Sequence, residues 1–209
     1  MQVAFECDCG KVKGSVESKH LKGYRAVCLC DDCQAYAHYL KRADTLDANG
    51  GTDIIPVMPS HLKIHEGWDK MKSVRLYRSG MFRCFADCCK TPIGNAMSSP
   101  KMPYIGMAAR IFEKNSSAEK VNEIFGPIRE RMQAQYAIGP LPPLAQKRVS
   151  FPFMVRVVKF MLTAKLTGAG SPSPFFTSEG TPALEPYVLT KEERESLRPL
   201  CGTLRTDIK

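Results

Sequence analysis

Three cysteines fall within six residues, Cys28-Leu29-Cys30-Asp31-Asp32-Cys33, and they constrain this chain more than any other feature. A pair, Cys7 and Cys9, lies upstream, and a third group, Cys84 with Cys88-Cys89, lies downstream. Eight of the nine cysteines therefore sit in three tight groups. Thiols this close along a chain are poorly placed to form disulfides with one another. They are well placed to converge on a soft cation, and the spacing points to zinc, as one or two ions.

The bulk numbers set limits on that reading. A length of 209 residues suits one domain with an extension, or two small domains. A hydrophobic content of 44% supports a core without any metal, so zinc would organise loops instead of rescuing a coreless peptide. Met1-Gln-Val-Ala-Phe-Glu-Cys7 shows no export signal, and no apolar run is long enough to span a membrane. With its many cysteines, the chain is expected in the reducing cytoplasm, with no membrane association. The net charge of +9 is evenly spread, with 16 Lys/Arg against 11 Asp/Glu in residues 1–112 and 14 against 10 in residues 113–209. No dense basic cluster interleaves with aromatics, so nucleic acid is not the expected partner.

Residues 1–112 read as short strands punctuated by Gly and Pro. Alternation or β-rich composition predicts strands over 11–17, 24–28, 52–57, 62–65, 74–78, 81–85 and 104–108. A short helix is expected over Asp31–Tyr39. Beyond Glu113 the period changes. Val121, Ile124, Phe125, Ile128 and Met132 mark one helical face interrupted at Pro127. Phe153 to Thr167 predicts a second helix, apolar nearly all round, which suits burial against the β domain or a partner subunit. Thr190-Lys-Glu-Glu193 has the form of a capping box. The expected architecture is mainly β: a zinc-binding domain over 1–112 and a helical extension with Pro/Gly-rich linkers over 113–209. The C-terminal helices offer a surface for homo-oligomer formation.

Cys28, Cys30 and Cys33 supply three thiolates from one loop. Structural zinc sites use four protein ligands, whereas catalytic sites use three and keep one position open. The triplet fits an open site, or one closed in space by Cys201 or a histidine. Cys7 and Cys9 form a two-ligand hook that needs a second hook from the Cys84/Cys88/Cys89 group. Adjacent cysteines seldom both bind one ion easily, which leaves a core-thiol role open for one of them, but Cys88 and Cys89 both stand among the candidate metal ligands with Cys7, Cys9, Cys28, Cys30 and Cys33. His38 follows the triplet by five residues and is the candidate proton-transfer residue. His20, His61 and His65 sit apart. Arg42, Arg83 and Lys90 are candidate carboxylate-binding groups, and Thr91-Pro92-Ile93-Gly94-Asn95 reads as a pocket-lining loop or a tight turn.

The three groups, in this order, resemble the glutathione-dependent formaldehyde-activating enzyme family, which includes the centromere protein V type of domain. That pattern is Cys-x-Cys-Gly, then Cys-x-Cys-x-x-Cys, then Arg-x-Phe-Cys-x-x-Cys-Gly-Thr-x-Leu. Cys7-Asp-Cys9-Gly10 and Cys28-Leu-Cys30-Asp-Asp-Cys33 match the first two elements. In the third, Arg83, Phe85, Cys89, Thr91 and Ile93 match, while Ala86 stands where a cysteine belongs and Lys90 where a glycine belongs. The resemblance covers roughly the first 110 residues. It implies an Mss4-like β-tent, with Cys7, Cys9 and Cys89 at a structural zinc and Cys28, Cys30 and Cys33 at a catalytic one. Cys88 or Cys84 would replace the ligand missing at Ala86, or that site would be empty.

The activity the resemblance implies is that of a zinc-dependent carbon–sulfur lyase. Its substrate would be a thiol adduct, glutathione-like, of formaldehyde or another small electrophile. The rival reading is a non-enzymatic zinc module that binds a protein or nucleic-acid partner.

Overall fold

The computed structural model describes residues 1–19, 21–114 and 116–208, so His20 lies outside the described residues. Alternation near the start of the chain builds β1 (Gln2–Glu6), whose Val3 and Phe5 point inward, and β2 (Lys13–Glu17). There follow β3 (Ala26–Cys28), α1 (Asp31–Tyr39), β4 (Thr52–Val57), β5 (Leu62–Glu66), β6 (Met71–Arg75), β7 (Phe82–Ala86), β8 (Thr91–Ala96) and β9 (Ile105–Ala108). The remainder comprises α2 (Arg110–Glu113), α3 (Ala118–Phe125), β10 (Arg131–Met132), α4 (Phe151–Leu166), β11 (Pro186–Val188) and α5 (Lys191–Leu197).

The strands form two sheets. One is small and antiparallel, in the order β1-β2-β5. The other has eight strands in the order β10-β3-β4-β9-β8-β7-β6-β11. Its inner pairings are antiparallel, but β10 joins β3 and β11 joins β6 in parallel. Segments from the second half of the chain thus cover both edges of the large sheet, where unpaired backbone groups would otherwise face outward.

With 29% helix and 25% strand, the fold is mixed instead of mainly β. Residues after 113 supply strands as well as helices. Several boundaries differ from the sequence expectation. The helical face read over 121–132 stops at Phe125, because Gly126 takes a left-handed φ of 83° and Pro127 follows. Ile128 lies beyond the helix and Met132 becomes part of β10. Residues 91–95, read as a pocket-lining loop or a tight turn, belong to strand β8, and Pro92, Gly94 and Asn95 line a small cavity.

Central strand β7 is buried at every position, and its alternation sorts two environments. Phe82, Cys84 and Ala86 join the main core. Phe85 faces a second cluster with Ala35, Tyr36 and Leu40 of α1. The main core is aromatic: Phe5 meets Phe112 edge-on at 6.0 Å, Phe112 meets Phe125 at 4.9 Å, and Phe160 of α4 packs against Tyr24 and Tyr104. Each such ring buried contributes about 1.5–3 kcal/mol. On α4, Phe153, Phe160 and Ala164 are buried, while Phe151, Val155, Val158, Leu162 and Leu166 are exposed. Among the described residues no helix is long and apolar enough to cross a membrane.

Arg25, buried beside the cysteine loop, ties the halves together. Arg25, just before β3, reaches Asp53 of β4 through Nε and Nη2 at 2.9 and 2.6 Å and donates to Asn122 of α3 at 2.6 Å.

Candidate metal centres

Seven of the nine cysteines gather into two groups. In each group the sulfurs lie within 4.8 Å of one another, among the described residues. A tetrahedral zinc with bonds of about 2.3 Å spaces its sulfurs about 3.8 Å apart, so both donor sets fit such a cation.

The four-thiol group joins Cys7, Cys9, Cys88 and Cys89. Cys7 and Cys9 lie on a tight turn after β1. Gly10 donates its N–H to Cys7 O at 2.8 Å with φ at 75°, and Val12 N–H reaches the Cys7 sulfur at 3.2 Å. That turn points both thiols one way. The second hook comes from the β7–β8 turn. Cys9 lies 3.2 Å from Cys88, and the sulfurs of the adjacent Cys88 and Cys89 are 3.9 Å apart. Both adjacent cysteines join the group, and Cys89 also packs against the main core. Neighbours in a strand point to opposite faces, but these two lie in a turn, where the backbone reverses. Lys90 closes it with φ at 56°, the conformation a glycine adopts without strain. Cys84 is instead fully buried in the main core, and Ala86 is buried in β7.

Clamps hold the four-thiol group. Lys114 of the second half donates to the carbonyls of Cys7 and Asp8 at 3.0 and 2.9 Å. Arg42 bridges Asp8, Asp44 and the carbonyl of Cys89. Its charge is consumed there, so it is not available to a substrate carboxylate. Lys90 is likewise engaged, by Asp87 and over the ring of Phe85.

The three-thiol group joins Cys28, Cys30 and Cys33. Cys28 ends β3, Cys30 caps the N-terminus of α1, and Cys33 sits in its first turn. The Cys33 N–H points at the Cys30 sulfur, 3.3 Å away. Helix N-termini carry partial positive charge and favour thiolates. Hydrogen bonds from Cys28 and Cys30, with the Arg83 guanidinium, hold the Cys33 thiol well below its ordinary value against the effect of burial. The opposite holds at Cys30, where hydrogen bonds with Cys28 and Cys33 and then burial push the thiol well up.

Among the described residues no fourth His, Cys, Asp or Glu joins this group. Cys201 bonds instead to the carbonyls of Asp31 and Leu197, at 3.6 and 3.4 Å. His38 does not join it either. Five residues along a helix is about 140° around its axis from Cys33, so the two side chains diverge. Arg83 is the partner that the triad does acquire. It is buried, stacks over Tyr36 at 5.0 Å, and leaves Nη1 without a hydrogen-bond partner. Beside it a cavity of about 20 Å³ is lined by Cys33, Tyr36, Arg83, Asn95 and Gly106, among others.

Sequence reasoning missed the brace behind the triad. Met132 packs against Cys28 and Cys33, and its carbonyl accepts from Leu29 N–H at 3.0 Å. Arg194 of α5 pairs with Asp32 at 2.6 Å. The signal was faint, because β10 is only two residues long.

A model of a family of unknown function, DUF6151, matches residues 1–185. A crystal structure of a Rhodobacter sphaeroides protein is similar at a TM-score of 0.43 and 16% identity, covering 58% of this chain and 97% of that one. No curated protein matches.

Proposed function

Since the chain belongs to DUF6151, a family of unknown function, its activity has to be read from its own residues, and we propose a zinc-dependent carbon–sulfur lyase acting on the adduct of a small thiol with formaldehyde or a similar electrophile. The observation that carries this reading is the contrast between the two groups. One offers four thiols, a complete set for a structural ion, and the other offers three beside a small cavity into which Arg83 and Asn95 reach. The two sheets would correspond to an Mss4-like β-tent. The thiol substrate would be glutathione-like, and the chain would work in the cytoplasm.

Zinc, when bound, supplies a Lewis acid that keeps a thiol anionic near neutral pH. The chain's residues do the rest. Cys28, Cys30 and Cys33 would hold the ion and leave a fourth direction open. With an ion bound, the Arg83 guanidinium would offset the surplus negative charge of the three thiolates. In the synthetic direction the substrate sulfur attacks the aldehyde carbon and forms the carbon–sulfur bond. The π pair moves onto the oxygen, which takes a proton from solvent. The lyase direction is the reverse, and neither direction changes oxidation state.

The test is direct. Zinc-loaded protein is mixed with ¹³C-formaldehyde and glutathione, and exchange between free and S-hydroxymethyl carbon is followed by NMR. Wild type should speed the exchange, and Cys33→Ser should return it to the uncatalysed rate. Equal rates with and without wild-type protein would remove the enzyme reading and leave the partner-binding one.

A further inference from the structure

The cavity beside the triad carries more information than its size suggests. Arg83 on β7 and Asn95 on β8 are directly opposed across the two strands, and Asn95 is in turn opposed to Gly106 on β9. Opposed residues of an antiparallel pair project from the same face. The row therefore presents a guanidinium, a carboxamide and then no side chain at all. Gly106, over which Ile54 and Tyr104 pack, lines the cavity that Cys33 and Tyr36 of α1 close.

Two buried atoms in this row lack hydrogen-bond partners: Nη1 of Arg83 and Oδ1 of Asn95. Leaving a buried charged donor and an acceptor both unmet is unfavourable, and native interiors rarely do so. The cavity's volume of about 20 Å³ corresponds to one water-sized group. A guanidinium only donates, and a carboxamide oxygen only accepts. One atom that satisfies both must accept one hydrogen bond and donate another. Water and a hydroxyl do this. A carbonyl oxygen, a carboxylate or a thioether does not.

We propose that the Arg83–Asn95 cavity is a hydroxyl-binding subsite, filled by water at rest and by the hydroxyl of a small ligand whose sulfur is held at the cysteine triad. The inference rests on the lyase reading and sharpens it. The subsite favours the hydroxyl-bearing adduct over the bare carbonyl compound, and Arg83 and Asn95 become specificity-determining residues. Arg83 then has two roles on two edges of its guanidinium, one toward Cys33 and one toward the hydroxyl.

The test uses the full chain loaded with cobalt(II), whose visible spectrum reports the ligands of the ion. Two near-isosteric probes are titrated: 2-mercaptoethanol, which carries a hydroxyl, and 1-propanethiol, which does not. The hydroxyl probe should bind at least about tenfold more tightly, because it replaces the resting water's two hydrogen bonds and the methyl end of 1-propanethiol forfeits them. Asn95→Leu and Arg83→Met each keep one of the two partners, so in either the preference should fall to about threefold, the scale of the one hydrogen bond left. Binding of both probes without preference overturns the subsite and leaves the thiol reading standing. A spectrum indifferent to both thiols overturns the two together. Should Arg83→Met fail to fold, Asn95→Leu decides the question. A crystal structure gives an independent answer. It should show an ordered oxygen within hydrogen-bonding distance of Arg83 Nη1 and Asn95 Oδ1, and a dry cavity overturns the proposal whatever the thiols do.

Discussion

Gly202 donates its backbone N–H to Oε1 of Gln34 at 2.7 Å. The same carboxamide donates to the carbonyls of Leu29 and Tyr136, at 2.8 and 3.0 Å. Gln34 is fully buried and follows Cys33 directly on α1. One side chain thus joins the loop that carries the triad to two separate segments of the second half. Residues after 113 are the brace of the candidate site.

Replacing Gln34 with Leu keeps the volume but leaves two carbonyls and one N–H unmet. The expected loss is about 3 kcal/mol or more, given about 1–3 for each of the three polar groups left without a partner. Urea unfolding measures it. A loss below about 0.5 kcal/mol, the scale of an ordinary surface change, would contradict the brace.

Lys90 makes the opposite case, since its left-handed backbone carries strain at a turn. Lys90→Gly should stabilise the protein by about 0.5–1 kcal/mol, because the ion pair it gives up is exposed and worth little. Lys90→Ala, which keeps the strain and loses the pair, should be slightly less stable than wild type. Thermal melts of the two variants separate backbone strain from side-chain charge.

Much of this was legible in the chain, and the reasons for the rest are physical. The cysteine grouping was visible because ligand chemistry needs no knowledge of the fold. Strand β4 was visible at its full length because its apolar run is bounded by glycine and proline. Cys88 and Cys89 could both be named as candidate ligands, but how adjacent residues reach one group was not legible, because the turn that brings them together is made by Lys90 where a glycine would announce it. His38 looked close in sequence, yet helical geometry swings it away from Cys33. β10 and β11 carry too few residues to show a period, and they exist because the large sheet has edges to cover.

The pH dependence follows from the clamp on the four-thiol group. Arg42 beside Asp44 holds that carboxyl below its ordinary value of 3.8. A depressed carboxylate contributes stability above 3.8 that is lost as pH falls through the folded value. Asp44→Asn should therefore melt below wild type at about pH 6, and the gap should narrow as pH falls below the ordinary value of 3.8. Because Asp44 is half exposed, the gap is small. A gap that widens on acidification would have the wrong sign.

Metal removal gives a different signature. In loaded protein the seven grouped thiols should resist a thiol reagent and Cys84 should stay buried, so that Cys201 is the thiol that titrates first. After chelation Cys9 and Cys88, the exposed members, should react next. Because thiolates bind metal and thiols do not, the chelator should succeed more easily as pH falls. Identical thiol titrations before and after chelation would argue that the sulfurs hold no ion.

The most direct measurement is metal per chain by elemental analysis, on gently purified wild type beside Cys28→Ser and Cys9→Ser. Two independent centres predict two zinc ions in wild type and one in each variant, with the cobalt spectrum of Cys9→Ser still responsive to thiols. Folded, reduced wild type without metal would contradict the account at its root. Full metal content in Cys28→Ser would contradict the three-thiol centre in particular.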